Sequence, residues 1–187
     1  MEEDKIKEIA SHYQAILELL GEDPKREGLD KTPMRAAKAM WYITQGYRLD
    51  PESTIKEAVF EHAGSKIISV KNIEFYTMCE HHILPFFGHV SIAYVPKGKM
   101  IGLSKLARLV NVYARRLQVQ ERLTSQICNA LFTILPAEGV MVKVEADHLC
   151  MKMRGVEKQE AKTVTVEYNG VFAADEALRR EAYHLLS

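Results

Sequence analysis

Apolar residues recur at helical spacing along the first part of the chain, where Ile6, Ile9, Ala10, Tyr13, Ile16, Leu17 and Leu20 share one face. Gly21 follows as a stop, and a polar connector, GEDPKREGLDKTP, leads onward. Thr32-Pro33 has the form of an N-cap with proline at the first helical position, which predicts a second helix over about 33–47. Residues 48–65 show no clear period. From Lys66 the pattern changes to strands. KIISVKN is rich in β-branched residues, and Val90, Ile92 and Tyr94 alternate onto one face of a segment running from Gly88 to Val95. After a turn at Pro96-Lys97-Gly98-Lys99, Ser104 is positioned to cap a helix striped by Leu106, Leu109, Val110 and Tyr113. A break near Leu117 separates it from a helix striped by Leu123, Ile127, Leu131 and Ile134. Val140, Val142, Val144 and Ala146 then alternate, as do Val164, Val166 and Tyr168, and Asp175 caps a short C-terminal helix.

The order from Lys66 is therefore strand, strand, helix, helix, strand, strand. It predicts an α+β fold in which an antiparallel ββααββ sheet carries helices on one face. An N-terminal helical region, 1–65, precedes this domain of 66–187.

Composition narrows the function. The chain has 187 residues, 47% of them hydrophobic, enough for one fair-sized core with a small helical appendage. Lys+Arg and Asp+Glu are equal at 25 each, which argues against a general nucleic-acid binder and leaves room for a local pocket for a small anion. The acidic start, MEEDKIKEIA, is not a secretory signal, and no run of 18 apolar residues offers a membrane span, so a cytoplasmic protein is expected. Three cysteines, an odd and small number, favour thiols or metal ligands over a disulfide framework.

Candidate chemistry lies in three places. Cys79-Glu80-His81-His82 offers Cys79 and His82 three apart, and His148-Leu149-Cys150 offers a His and a Cys on one face of an extended segment. Cys79, His82 and Cys150 form a Cys2His set, which with a fourth open position is the pattern of catalytic zinc. A four-ligand structural site recruiting His81 or His148 competes with it. Cys128 reads as a small core hydrophobe, and His12, His62, His89 and His184 as structural or surface residues. Second, Lys105 and Arg108 follow Ser104 at a helix start, where unpaired N–H groups and the dipole favour phosphate. Arg154 is able to join them; a solvated charged face is the plainer reading. Third, Glu121, in QVQER between the two helices, is suited to accept paired hydrogen bonds from N1–H and the 2-amino group of guanine. A polar helix start with Glu at the favoured end of the dipole is the plainer reading.

Taken together, FYTMCEHHILPFFGHVSIAYVP, IGLSKLARLV, QVQERLT and HLCMKMRGV resemble, in order, the signature stretches of the GTP cyclohydrolase I family. GEDPKREGLDKTPMRAAKA resembles its N-terminal connector, so the likeness runs from about residue 20 to 173. Ala161 departs from the serine found in many members. The resemblance implies the tunnelling fold and zinc held by Cys79, His82 and Cys150. It implies guanine read by Glu121 with Gln120 beside it, and triphosphate held by Lys105, Arg108, Arg154 and Arg35. It implies Ser104, His81 and His148 as proton-transfer groups. The reaction implied is opening of the GTP imidazole ring, release of formate and closure to 7,8-dihydroneopterin 3'-triphosphate, the first step toward pterins and tetrahydrofolate. The implied assembly is a homo-oligomer, a decamer of two pentameric rings. Two other functions fit parts of the pattern: a zinc-stabilised module without activity, and a deazapurine enzyme of the same fold.

Overall fold

The computed structural model describes residues 1–187 except 57, 62, 63 and 65, and of Lys56 the backbone only. His62 thus lies outside the described residues. By internal contacts the chain forms two compact units, Met1–Gln45 and Gly46–Ser187.

The first unit is a helix pair, α1 (Glu2–Leu19) and α2 (Thr32–Ile43). Ala10 and Ala37 are the buried residues of the two helices, and side chains this small let helix backbones approach closely. The carboxylate of Glu2 accepts from the indole N–H of Trp41, tying the first turn of α1 to the end of α2. Thr32 does not act as the cap. Lys31 occupies that position and the Thr32 hydroxyl donates to Gly28 O instead, while Pro33 keeps its expected place in the first turn. A 3₁₀ turn at Gln45–Arg48 takes up what was read as the end of this helix.

In the second unit, α3 (Pro51–Lys56) and β1 (Val59–Glu61) come first, followed by β2 (Ile68–Cys79), β3 (Pro85–Pro96) and β4 (Lys99–Ile101). Then come α4 (Leu103–Ala114), β5 (Leu117–Gln118), α5 (Gln120–Ile134) and β6 (Ala137–His148). The chain ends with α6 (Leu149–Lys152), β7 (Thr163–Gly170), α7 (Val171–Ala174) and α8 (Glu176–Leu186). β1 pairs with β4, so residues 59–61 belong with the sheet-bearing unit, and the division by contacts falls earlier than residue 65. A three-residue strand has too short a pattern to declare itself.

The main sheet has the order β5-β2-β3-β6-β7. Its four long strands are antiparallel, and β5 adds a two-residue parallel rung to β2. One face carries Phe75, Phe86, Val90, Ile92, Tyr94, Val140, Val142 and Val144 against Leu106, Leu109 and Val110 of α4 and Leu123, Ile127 and Leu131 of α5. This is the ββααββ layer expected from the pattern. The opposite face is also covered in part: α8 packs Ala182 and Leu186 with Phe172 against Ala93 and Met141. Asp175 does cap α8, accepting from the N–H of Leu178 at 3.0 Å. The α4 cap is Gly102; Ser104 lies inside the first turn and makes no capping bond.

Two details of the core bear on the site. Gly88 lies between Phe86 and Val90, and a Cβ there would stand 1.9 Å from Glu145 O, so only glycine lets β3 and β6 close at this point. Cys128 is fully buried on α5, its thiol pushed up to about 12 by burial and by the Glu167 charge.

Candidate metal centre and active site

Strand β2 ends at Cys79 and the chain turns back through Glu80–Leu84 into β3. The Cys79 N–H donates to Leu84 O and the Ile83 N–H to Cys79 O, both at 2.8 Å. This tight closure forces Ile83 to φ 52, left-handed space that a β-branched residue rarely occupies. The side chain of Ile83 is 51% exposed, so packing explains little of its presence there. Replacing it with Asn, which tolerates this conformation, is expected to raise stability by about 1 kcal/mol. Thermal unfolding of the metal-free protein reads that as a rise in Tm; an unchanged or lower Tm would mean the turn stores no strain at this position.

Three further bonds fix the turn to the start of α5. Glu80 N–H donates to Gln118 O at 3.0 Å, continuing the β2–β5 rung. The Glu80 carboxylate accepts both terminal N–H groups of Arg122, at 2.6 and 2.7 Å. That two-pronged bond holds the carboxyl below the usual carboxylate range. Two residues before Cys79 on the strand, the Thr77 hydroxyl donates to Arg116 O.

Cys150 reaches the turn by a different route from the one its sequence suggests. The extended backbone ends at His148, and Leu149–Lys152 form one helical turn. Cys150 therefore projects from a helix and not by strand alternation. The turn is braced by the ion pair of Lys152 with Asp147 and by Gln159, which donates to Lys152 O at 2.8 Å. As a result the ligand atoms of Cys79, His82 and Cys150 all lie within 4.8 Å of one another. Cys79 Sγ to His82 Nδ1 is 3.8 Å. Around a tetrahedral zinc with ordinary Zn–S and Zn–N bonds, ligand atoms stand roughly 3.5–3.8 Å apart. Two soft sulfurs and one imidazole at this separation fit zinc. His81 Nδ1 is 3.9 Å from Cys79 Sγ, but His81 is not part of the mutually close group.

Beside these ligands stands His148. Its ring lies on its cross-strand partner Phe86, centroids 4.4 Å apart and 7° from parallel. Its Nε2 is 2.8 Å from Gln120 Oε1. Burial pushes the imidazole below its ordinary pKa, against the opposing pull of the Glu121 and Asp147 charges. The Cys150 thiol is pushed up by burial and by Cys79, while Arg154 draws it down.

The expected site residues thus divide. Cys79, His82 and Cys150 converge. Arg154 acts electrostatically on Cys150 of that group, and Glu121 on the neighbouring His148. Gln120 is 1% exposed, and its carboxamide is bonded inside the protein to Val144 O, Thr163 O and His148 Nε2. Ser104, Lys105 and Arg108 occupy the first two turns of α4, whose opposite end leads to the Thr77–Arg116 bond. A twelve-residue helix is about 18 Å long, so that corner lies far from the metal turn of the same chain. Arg35 is exposed on α2 in the other unit. Sequence reasoning missed Glu80, Arg122 and Phe86 as positioning groups. The neighbouring charges of Glu80 and Arg122 look like solvated surface until the fold brings them together.

Comparison with known proteins identifies the family. The family model described as GTP cyclohydrolase I matches residues 9–187. The chain is 51% identical over 181 residues to GTP cyclohydrolase 1 of Porphyromonas gingivalis, covering 97% of this chain and 93% of that one. It is 53% identical over 171 residues to the protein of that name from Chlorobium phaeovibrioides, covering 91% and 77%. The solved structure of an archaeosine synthase QueF-Like in the apo form aligns at TM-score 0.46 and 16% identity, over 57% of this chain and 96% of that one.

Proposed function

Because the chain belongs to the GTP cyclohydrolase I family, we propose that its Cys79–His82–Cys150 centre holds zinc and that GTP is opened beside it. The chain is an enzyme with GTP cyclohydrolase activity in pterin biosynthesis. The observation that carries the site-level reading is the convergence of two cysteines and a histidine next to a half-buried, oriented imidazole.

Zinc bound there supplies Lewis acidity, which makes water a competent nucleophile near neutral pH. The rest falls to the chain's own residues. Glu121 accepts N1–H and the 2-amino group of guanine, a donor pair that adenine lacks. His148, neutral near pH 7 because its pKa is depressed, takes and returns protons as charge develops on the purine and ribose. His81 is the second imidazole available for the later steps. Arg154, together with Lys105, Arg108 and Ser104, receives the triphosphate and ribose region. Three free cysteines, two of them required as metal ligands, suit the reducing cytoplasm. No helix among the described residues is long and apolar enough to cross a membrane.

Zinc-loaded protein incubated with GTP is expected to release formate and, after oxidation, to yield fluorescent neopterin, with ATP as the silent control. Zinc retention without formate would leave a metal-stabilised module, and NADPH consumption would point to the deazapurine reaction.

The phosphate corner reads as part of a site shared between subunits. β7 is an eight-residue strand at the sheet edge, and symmetric assembly is the usual way to pair such an edge. A decamer of two pentameric rings, with Lys105 and Arg108 of one subunit facing the zinc of another, brings the distant corner to the metal. Light scattering is expected to give the mass of such an assembly. Inactive Cys150→Ser and inactive Lys105→Ala/Arg108→Ala chains, unfolded together and refolded, are expected to regain about a quarter of wild-type activity, the share of sites that random mixing at symmetric contacts makes intact. No recovery in a mixed oligomer would put both groups on one chain.

A further inference from the structure

Every donor and acceptor around Gln120 has a determined direction. Its amide nitrogen faces Val144 O at 3.1 Å and Thr163 O at 3.0 Å. Both are backbone carbonyls, which only accept, so the –NH2 end must point to them. Rotating the amide by half a turn would set its oxygen against two carbonyl oxygens. A third contact, to Thr165 Oγ1 at 3.2 Å, agrees. The Thr124 hydroxyl donates to Gln120 O at 2.7 Å, and Thr165 Oγ1 is 2.6 Å from Thr124 Oγ1. Thr124's proton is already committed, so Thr165 donates to Thr124 and keeps a lone pair for the amide.

The amide oxygen is thereby fixed toward His148, with Oε1 2.8 Å from Nε2. An amide oxygen only accepts, so the proton on that contact belongs to the histidine. The ring is held in plane by the Phe86 stack and in rotation by this bond. No hydrogen bond among the described residues uses Nδ1.

We propose that Gln120 is a positioning residue that fixes His148 as its Nε2–H tautomer, making Nδ1 the one ring atom that exchanges protons in the reaction. This rests on the catalytic role given to His148 above. The lone pair on Nδ1 takes one proton from water or substrate, the imidazolium keeps its Nε2–H on Gln120, and the same Nδ1 proton is later returned. Nothing is gained or lost over the cycle. An amide oxygen has no proton to relay, so the Nε2 side is closed to transfer. The assignment also explains why a glutamine sits buried at the start of α5 beside the exposed Glu121: one residue serves the base, the other the imidazole.

Solid-state nitrogen NMR of zinc-loaded protein carrying ¹⁵N-histidine tests the tautomer directly, with His148→Asn identifying the signal among seven histidines. At pH 8 the expected ring has a protonated Nε2 and a bare Nδ1. A proton on Nδ1, alone or with Nε2, overturns the proposal. In Gln120→Met the tautomer is expected to become mixed and kcat to fall ~10-fold or more, part of the ~10²–10⁴ a positioned acid–base group supplies, with KM for GTP within about twofold. An unmixed Nε2–H signal in that variant would overturn the role of Gln120. Should Gln120→Met fail to fold, the wild-type spectrum still decides the tautomer. Absence of formate release by the wild type would sink the functional reading while leaving the tautomer measurement standing.

Discussion

Cys150→Ser is expected to lose zinc and turnover together. Cys150 is one of three residues whose ligand atoms lie within 4.8 Å of one another, and two ligands held by one tight turn do not make a site. Changes to groups that merely support a ligand cost about 10–100-fold in metal affinity, so removal of a ligand is expected to exceed that range. Metal analysis after gel filtration would show well under one zinc per chain, and formate release from GTP would fall to background. The fold is expected to survive, since Cys150 is only half-buried and its helical turn is braced by Lys152–Asp147 and Gln159. Full zinc with no activity would remove Cys150 from the ligand set and make it a catalytic group instead.

Glu121→Ala is expected to abolish discrimination between GTP and ATP. A site built to pair a substrate's polar edge rejects analogues that lack it by as much as ~10⁴-fold, and Glu121 is the exposed carboxylate proposed to make that pairing. Binding of GTP should weaken toward that of ATP while zinc content stays whole. A second readout follows from electrostatics. The Glu121 charge holds the His148 imidazole up against burial, so its removal lets the pKa drop further and the acid limb of kcat against pH moves to lower pH. Unchanged GTP affinity would show that guanine is read elsewhere.

What the sequence made legible is local. Helical stripes such as Leu123, Ile127 and Leu131, and the alternation of Val140, Val142 and Val144, follow directly from the geometry of helix and strand, and the structure keeps them. The Cys79, His82 and Cys150 group was legible by residue type and clustering. The path to Cys150 was not, because His-Leu-Cys fits a strand and a helical turn alike, and the choice depends on the Asp147–Lys152 bracing. Gln120 stood beside the base through the family resemblance, and nothing in QVQER signals that its carboxamide is buried. Its burial is set by Val144, Thr163 and Thr165, which approach only when β6 and β7 pair. Likewise the C-terminal helix was expected from its Asp175 cap, but a cap does not say which face of which sheet a helix will cover. Residues 48–65 stayed opaque because β1 is three residues long and defined by its partner β4.

Cys128 has a practical bearing on all of these measurements. With its thiol near pKa 12 and no exposed surface, it holds roughly one part in ten thousand as thiolate at pH 8. Alkylating reagents will not register it in the folded protein. With metal on Cys79 and Cys150 as proposed above, thiol titration of the native chain is expected to count that pair alone: two equivalents modified when metal is stripped by a chelator, both shielded when it is restored. The third cysteine contributes no background, and the chain carries its own stoichiometric gauge of metal occupancy.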